Sequence, residues 1–296
     1  MTPAPAPGLL LVAKPTGMTS RQAVDVVMRK LEVRRMGHAG TLDPFAEGLL
    51  IVLWGRATGL VPYLQEYPKS YRAVIRMGRT TDTQDVTGTV LREVDASRLG
   101  ADAILAAMGA FRGEIEQVPP RFSAVKHQGR RSYAMARKGL VPEALPRLRR
   151  IHRYELLEWA PPLARVFVEC STGTYVRTLG HDLGNALGVG GSLEALERSA
   201  IGPFRVEDAI GVERVHEMTG VELLARAVRL ADALPDWPTV AVDDEGARDL
   251  MNGIPGSLPE RAPAHPVRVV DGAGNLLALY RGGEHPGFLR VFVGQD

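Results

Sequence analysis

The chain reads as an α/β protein, and three features of its pattern predict this. Short apolar runs, Gly8–Ala13 and Leu49–Trp54, alternate along the sequence with segments whose apolar residues recur at helical spacing, Thr19–Leu31 and Asp102–Phe111. The stretch Tyr71–Met77 alternates residue by residue, the mark of a strand with one face on a core. With 296 residues, 45% of them hydrophobic, the chain can bury a substantial core as one large domain or as a large and a small one. Periodicity supports alternating strands and helices and stops there.

Gly8–Ala13 is a first strand, ended by the Lys14-Pro15-Thr16-Gly17 turn. Thr19 or Ser20 caps a helix with Ala23, Val26, Val27 and Leu31 on one face and Arg21, Asp25, Arg29 and Lys30 on the other. Leu49–Trp54 is apolar throughout, as a strand covered on both faces must be. In the next strand Tyr71, Ala73, Ile75 and Met77 face the core and Arg72, Val74 and Arg76 face away, before the polar loop Gly78–Asp85. A helix over Asp102–Phe111 is followed by strands at Ile151–Trp159 and Arg165–Cys170. Ser192–Arg198 reads as a helix capped by Ser192, with Glu194 and Glu197 in or near its first turns. Asp232–Pro238 reads as a boundary. Beyond it come a helix near Asp243–Met251 and short strands at Val267–Val270, Leu276–Tyr280 and Leu289–Val293.

Composition narrows the function. No run approaches the roughly 18 apolar residues of a membrane span, and Met1–Pro7 lacks the basic and apolar regions of a signal peptide, so a cytoplasmic protein is expected. The single cysteine, Cys170, excludes an internal disulfide and reads as a small buried side chain. His181-Asp182 has no further ligand at suitable spacing, and there is no phosphate loop or dinucleotide fingerprint, so neither metal nor cofactor is expected. The net charge of +2 hides a strong asymmetry. Between Arg121 and Arg153 ten Lys/Arg face one acid, Glu143, while the rest of the chain carries a net −7. Clustered cations on an otherwise acidic chain describe a polyanion-binding face, here Arg121, Lys126, Arg130, Arg131, Arg137 and Lys138 with Phe122, His127, Tyr133 and His152 interleaved. Aromatic faces among cations suit RNA, whose unpaired bases stack while its phosphates are neutralised.

The candidate site is Gly37-His38-Ala39-Gly40-Thr41-Leu42-Asp43-Pro44-Phe45-Ala46-Glu47-Gly48. Three glycines, with Pro44 fixing its own φ and biasing Asp43 to an extended backbone, describe a main chain held on one non-helical path that aims a carboxylate. The same local chemistry suits Asp43 as N-cap of a helical turn beginning at Pro44, and the residues alone leave both readings open. Tyr71, taken alone, reads as a core or cross-strand aromatic.

The stretch 37–48 resembles the G-H-x-G-T-L-D-P-x-A-x-G signature of the bacterial-type tRNA pseudouridine-55 synthases, the TruB family. Further runs resemble the same family: the Lys14-Pro15 turn, Gly78–Asp85 (G-x-x-T-D-T-x-D), Pro119–Lys126 (P-P-x-x-S-A-x-K), Gly129–Arg137 (G-x-R-x-Y-x-x-A-R) and Ser171–Leu179 (S-x-G-T-Y-[IV]-R-[ST]-L). Ser132 and Met135 depart from the pattern, where the family commonly has an apolar and an acidic residue. The resemblance implies a mixed, largely antiparallel sheet in a catalytic domain over residues 1–231 and a small β-rich domain of the PUA type over 232–296. It implies Asp43 as nucleophile, Arg177 as its orienting cation, Tyr71, Tyr175 and Leu196 as pocket walls, and His38 in the stack vacated by a flipped base. The implied substrate is the T-arm stem-loop of tRNA, with no cofactor, no membrane and no obligatory protein partner, the enzyme acting as a monomer. The tail from Asp232 holds ten acids and five bases, which argues against a large phosphate-binding role for it. Two rivals stand beside this reading: a non-catalytic tRNA-binding or folding chaperone, and a metal-dependent hydrolase using Asp43, His38 and His181.

Overall fold

The computed structural model describes residues 5–120, 126–127, 130–131, 145–251 and 265–292. The chain begins with strand β1 (Gly8–Lys14), then α1 (Ser20–Lys30), β2 (Met36–His38), β3 (Glu47–Trp54), α2 (Val61–Glu66) and β4 (Lys69–Met77). The hairpin β5 (Arg79–Thr81) and β6 (Val90–Glu93) leads to α3 (Ala101–Gly109), β7 (Gly113–Gln117), the short pair β8 (Lys126–His127) and β9 (Arg130–Arg131), then β10 (Arg147–Ala160) and β11 (Leu163–Cys170). After α4 (Val176–Ala186) come β12 (Gly191–Ile201), β13 (Phe204–Arg205), β14 (Ile210–Gly211), α5 (Val212–Glu217) and α6 (Gly220–Ala225). The last described elements are β15 (Thr239–Ala241), α7 (Asp244–Met251), β16 (Pro266–Val270), β17 (Leu276–Arg281) and β18 (Gly287–Val291).

The central sheet runs β14-β1-β3-β12-β4-β11-β10-β7, with β2 also on β3 and β13 on β12. Its pairings are antiparallel except β1 with β14 and β3 with β12. This is a mixed, largely antiparallel sheet in an α/β chain.

The apolar pattern explains its layers. On β3, Leu50 and Val52 pack against Ala23, Val24, Val26 and Val27 of α1, whose N-terminus is fixed by a Thr19–Gln22 capping box. Leu49, Ile51 and Leu53, on the opposite face, pack with Leu60, Leu64 and with Val270, Leu276 and Leu279 of the C-terminal strands. Both faces are covered, so the strand is apolar throughout. On β4, Ala73, Ile75 and Met77 enter a core with Val166 and Val168 of β11 and Leu179 and Leu183 of α4.

One predicted element is wrong. Ser192–Arg198 is not a helix but the middle of strand β12, between β3 and β4. The reason lies in a register shift between Leu193 and Ala195: Leu193 faces Ile75 and Leu196 faces Ala73, two residues apart on β4 but three apart on β12. An extra residue in a bulge gives a strand the i, i+3 spacing of a helix. Leu, Glu and Ala favour helix locally, and the pairing on both edges overrides that preference.

The small C-terminal sheet, β15-β16-β17-β18, has its own cluster around Val267, Val269, Leu277 and Ala278. It is seated on the main body by more than the shared core. The Tyr63 hydroxyl donates to the Leu289 carbonyl at 3.2 Å, Arg56 donates to the Phe292 carbonyl at 3.0 Å, and Tyr63 meets Trp237 edge-on with centroids 5.4 Å apart.

Helix α4, which carries Arg177, is locked to β12 by two glycines. A Cβ on Gly184 would lie 2.2 Å from the Gly190 carbonyl carbon and 2.3 Å from Gly191 N, backbone that cannot step aside. Gly184→Ala is therefore expected to lower stability by about 3 kcal/mol, the upper range for overpacking, read from urea unfolding. An unchanged midpoint would show that α4 can slide on the sheet.

Candidate active site

Leu196, from the bulged strand, lines a cleft of about 280 Å³ together with Asp43, Tyr71, Tyr175 and Arg177. Five of the six residues singled out as catalytic or substrate-binding thus converge from four separate segments: the aspartate loop, β4, the start of α4 and β12. His38 sits apart on β2 opposite Val52 and does not line the cleft. Arg121, Arg137 and Lys138 lie outside the described residues. The backbones of Lys126, Arg130 and Arg131 form the β8–β9 hairpin.

No helix starts at Pro44; residues 44–45 form a turn closed by Ala46 N–H on the Asp43 carbonyl at 3.1 Å. The Asp43 side chain points instead to Arg177, with Oδ2 2.9 Å from Nε. This carboxylate is 37% exposed and opens to the cleft, while the Arg177 side chain is only 4% exposed. A second carboxylate holds the far end of the guanidinium: Asp85 Oδ2 lies 3.2 Å from Nη1, which also donates to the Thr83 carbonyl at 2.9 Å. Asp85 in turn accepts at Oδ1 from the Thr87 amide at 2.9 Å and the Thr83 hydroxyl at 2.8 Å. Burial raises the Asp43 pKa above its usual range, Arg177 is the largest influence opposing it, and Asp85 adds to the rise.

The path of the aspartate loop is set by partners for its backbone carbonyls, a demand every buried chain must meet. Ser20 Oγ donates to the Leu42 carbonyl at 3.0 Å and accepts from the Leu42 amide at 2.8 Å. Gly17 N–H reaches the Pro44 carbonyl at 2.7 Å. The buried Lys14 ammonium donates to the carbonyls of Ala46, Pro15 and Met18, and burial pulls its pKa down to about 8. On the opposite wall, Gln117 clamps Tyr175 at both backbone groups: Nε2 donates to the Tyr175 carbonyl at 3.0 Å and Oε1 accepts from its amide at 2.7 Å. Arg149 Nε donates to the Gly173 carbonyl at 2.9 Å.

Tyr71 faces the cleft from β4, and burial pushes its hydroxyl up to about 12, so it is neutral near pH 7. Lys69, two residues earlier on β4, also lines the cleft and donates to the Gln65 and Tyr67 carbonyls; its pKa is drawn down to about 8 by burial. Both ring nitrogens of His181 are engaged, with the Gly191 carbonyl at 3.3 Å and Asn185 Nδ2 at 3.0 Å. Cys170 is buried under Lys69 and Thr174, and its thiol is pushed up to about 12 by burial, which leaves it unreactive.

A cleft floored by an Asp–Arg–Asp chain and walled by two tyrosines and a leucine can be set beside known families. The family profile described as "TruB family pseudouridylate synthase (N terminal domain)" matches residues 28–176, and the one described as "tRNA pseudouridylate synthase B C-terminal domain" matches residues 177–233. The chain belongs to the TruB family of pseudouridylate synthases. Among its relatives, the tRNA pseudouridine synthase B of Pseudomonas aeruginosa (strain UCBPP-PA14) is 41% identical over 276 residues, spanning 92% of this chain and 90% of that one. The protein of the same name from Symbiobacterium thermophilum is 46% identical over 253 residues, 83% and 82% of the two chains. Among solved structures, a chain of a Cbf5-Nop10-Gar1 complex superposes with a TM-score of 0.71 at 26% identity, covering 97% of this chain and 84% of that one. A chain of an archaeal box H/ACA Nop10-Cbf5 complex shares the fold at a TM-score of 0.73 and 23% identity. Within the TruB frame, Asp85, Gln117 and Ser20 are site residues that sequence reasoning did not single out. Asp85 lay inside the family-like run Gly78–Asp85, without a role.

Proposed function

We propose that this chain converts the uridine at position 55, in the T-loop of tRNA, to pseudouridine. The observation that carries the reading is the Asp43–Arg177 ion pair at 2.9 Å on the floor of a cleft whose walls include Tyr71, Tyr175 and Leu196. Family membership supports the reaction class. Reaching the base costs a few kcal/mol of unstacking, and His38 takes the place that the flipped nucleotide leaves.

The reaction breaks the N1–C1′ bond, turns the uracil, joins its C5 to C1′ and releases the C5 proton. Every atom but that exchanged proton is retained, and nothing is oxidised or reduced. Asp43 is the nucleophile, and Arg177 beside it favours the carboxylate form that burial disfavours. As the N1–C1′ bond breaks, its electron pair leaves with the uracil, which becomes negative. Lys69, Arg177 and Arg198 line the cleft beside Asp43, the one acid among its described lining residues, and fixed positive charge there lowers the energy of that anion. Tyr175 and Leu196 hold the detached ring, and Tyr71 takes part in moving the C5 proton.

Residues 1–231 form the catalytic domain and 232–296 a PUA-like domain, a division supported by the second family match ending at residue 233. The enzyme works in the cytoplasm as a monomer on the T-arm stem-loop, which the cations between Arg121 and Arg153 help to hold. In the deciding experiment the protein, with EDTA and no added cofactor, is mixed with an unmodified T-arm stem-loop tritiated at uridine C5. Release of tritium is the expected result. A folded protein that binds the RNA and releases none would defeat the proposal.

A further inference from the structure

Arg198 is second only to Trp54 in size among the fully buried side chains of the described residues. It stands on β12 directly opposite Tyr71 of β4 on one side and Gly48 of β3 on the other. Its guanidinium reaches out under the aspartate loop: Nε donates to the Leu49 carbonyl at 2.8 Å, Nη2 to the Gly40 carbonyl at 3.1 Å and Nη1 to the Thr41 carbonyl at 3.4 Å. Arg198 and Tyr71, neighbours across the β12–β4 pairing, both line the cleft, and the guanidinium lies within electrostatic range of Asp43.

The backbone is shaped to allow this. Gly48 has φ +108°, and a Cβ there would sit 2.4 Å from the Arg198 carbonyl oxygen. Gly40 has φ +102°, and its Cβ would lie 3.6 Å from Nη1. Gly48 therefore lets β3 close on the β12 backbone at Arg198, while at Gly40 it is the positive φ that favours glycine, a Cβ there making only ordinary contact with the guanidinium. Burying a guanidinium costs several kcal/mol, and an apolar side chain of equal volume would fill the same space without that cost. What an apolar side chain cannot do is donate at once to two carbonyls of the aspartate loop and one of β3.

We infer that Arg198 is a positioning residue for the reaction, joining the aspartate loop to the Tyr71 strand so that the Asp43 carboxylate and the Tyr71 hydroxyl face one nucleotide at a fixed separation. The inference rests on the proposed isomerisation and goes beyond it, because Arg198 acts through the two groups and does not itself react. Lys14 and Ser20 hold the later part of the loop, and Arg198 holds its start and its exit into β3. Of the three, Arg198 alone also stands across the sheet from Tyr71. Burial disfavours its charge, while the neighbouring Tyr71 and Asp43 favour it.

The test compares Arg198→Met and Arg198→Lys with wild type by single-turnover tritium release, RNA dissociation constant and thermal unfolding. Lysine keeps the charge but has one nitrogen where the guanidinium uses three, and it serves as the control should the methionine variant fail to fold. In both, or in the lysine variant alone, the rate is expected to fall roughly 100-fold, the scale of a misplacement of about 1 Å, with RNA affinity within about threefold of wild type. Combined with Tyr71→Phe, the loss should be smaller than the product of the single losses, because both changes break one unit. A lysine variant at wild-type rate would overturn the inference, as would rate, affinity and unfolding temperature falling together in every variant. No release by the wild type would overturn the function and this role with it.

Discussion

Asp43→Asn is expected to bind the T-arm stem-loop as wild type does and to slow tritium release roughly 10⁴-fold or more, the scale seen when a nucleophile is removed. Asparagine keeps the shape but offers a neutral amide in place of a carboxylate with a free electron pair. The substitution leaves Arg177 its second partner, Asp85, at 3.2 Å, so no cation is stranded and the fold should be kept. Binding and unfolding measured beside the rate separate the readings. A loss of rate at unchanged affinity places Asp43 in the chemistry. A rate within tenfold of wild type would mean that another group attacks. A variant that still refolds tRNA as well as wild type, where wild type itself releases no tritium, would favour the chaperone reading.

How much of this could be read from residues differs between fold and site. Strands β1, β3 and β4 and helix α1 were legible because burial imposes a period on them, and their faces came out as the period requires: Ala73, Ile75 and Met77 in the core, and Ala23, Val26, Val27 and Leu31 against the sheet. β12 was misread because a bulge gives Leu193 and Leu196 a spacing that helices also use, and the partners that exclude a helix, β3 and β4, lie more than a hundred residues upstream. Local pattern carries no trace of such pairing.

The aspartate loop could be found because its demands are local: glycines at positive φ, Gly40 and Gly48, and a proline beside the acid. The groups that hold it could not. Arg198 meets Gly40 from 158 positions away, Asp85 meets Arg177 from 92, and Gln117 meets Tyr175 from 58. An arginine, an aspartate and a glutamine in polar stretches look like surface until the fold buries them. Family likeness pointed to Asp43 and Arg177, while the groups that hold the backbone carbonyls around them became visible only in the fold.

Arg177→Met should lower the rate roughly 10³-fold at pH 7 and move its acid limb to higher pH, because Arg177 is the chief influence opposing the rise in the Asp43 pKa. Asp43 must be ionised to attack, so activity falls as pH drops through its pKa. With the guanidinium gone, burial and Asp85 both act to keep the proton on, and the limb must move up. Stability follows the same sign. A carboxyl whose folded pKa stands above its unfolded value destabilises the fold fully above the folded pKa, and that cost fades as pH falls from the folded pKa to the unfolded one and is absent below it. The variant's deficit, held to about 3 kcal/mol because water screens the partly exposed Asp43, should therefore be largest at neutral pH and shrink on acidification, the reverse of ordinary acid denaturation. Arg177→Lys, which restores charge without reaching both Asp43 and Asp85, should bring the limb back towards its wild-type position and recover only part of the rate. Rate profiles and urea unfolding at several pH values measure both effects. An acid limb that stays in place in Arg177→Met would mean that the ion pair shapes the cleft without setting the charge of Asp43.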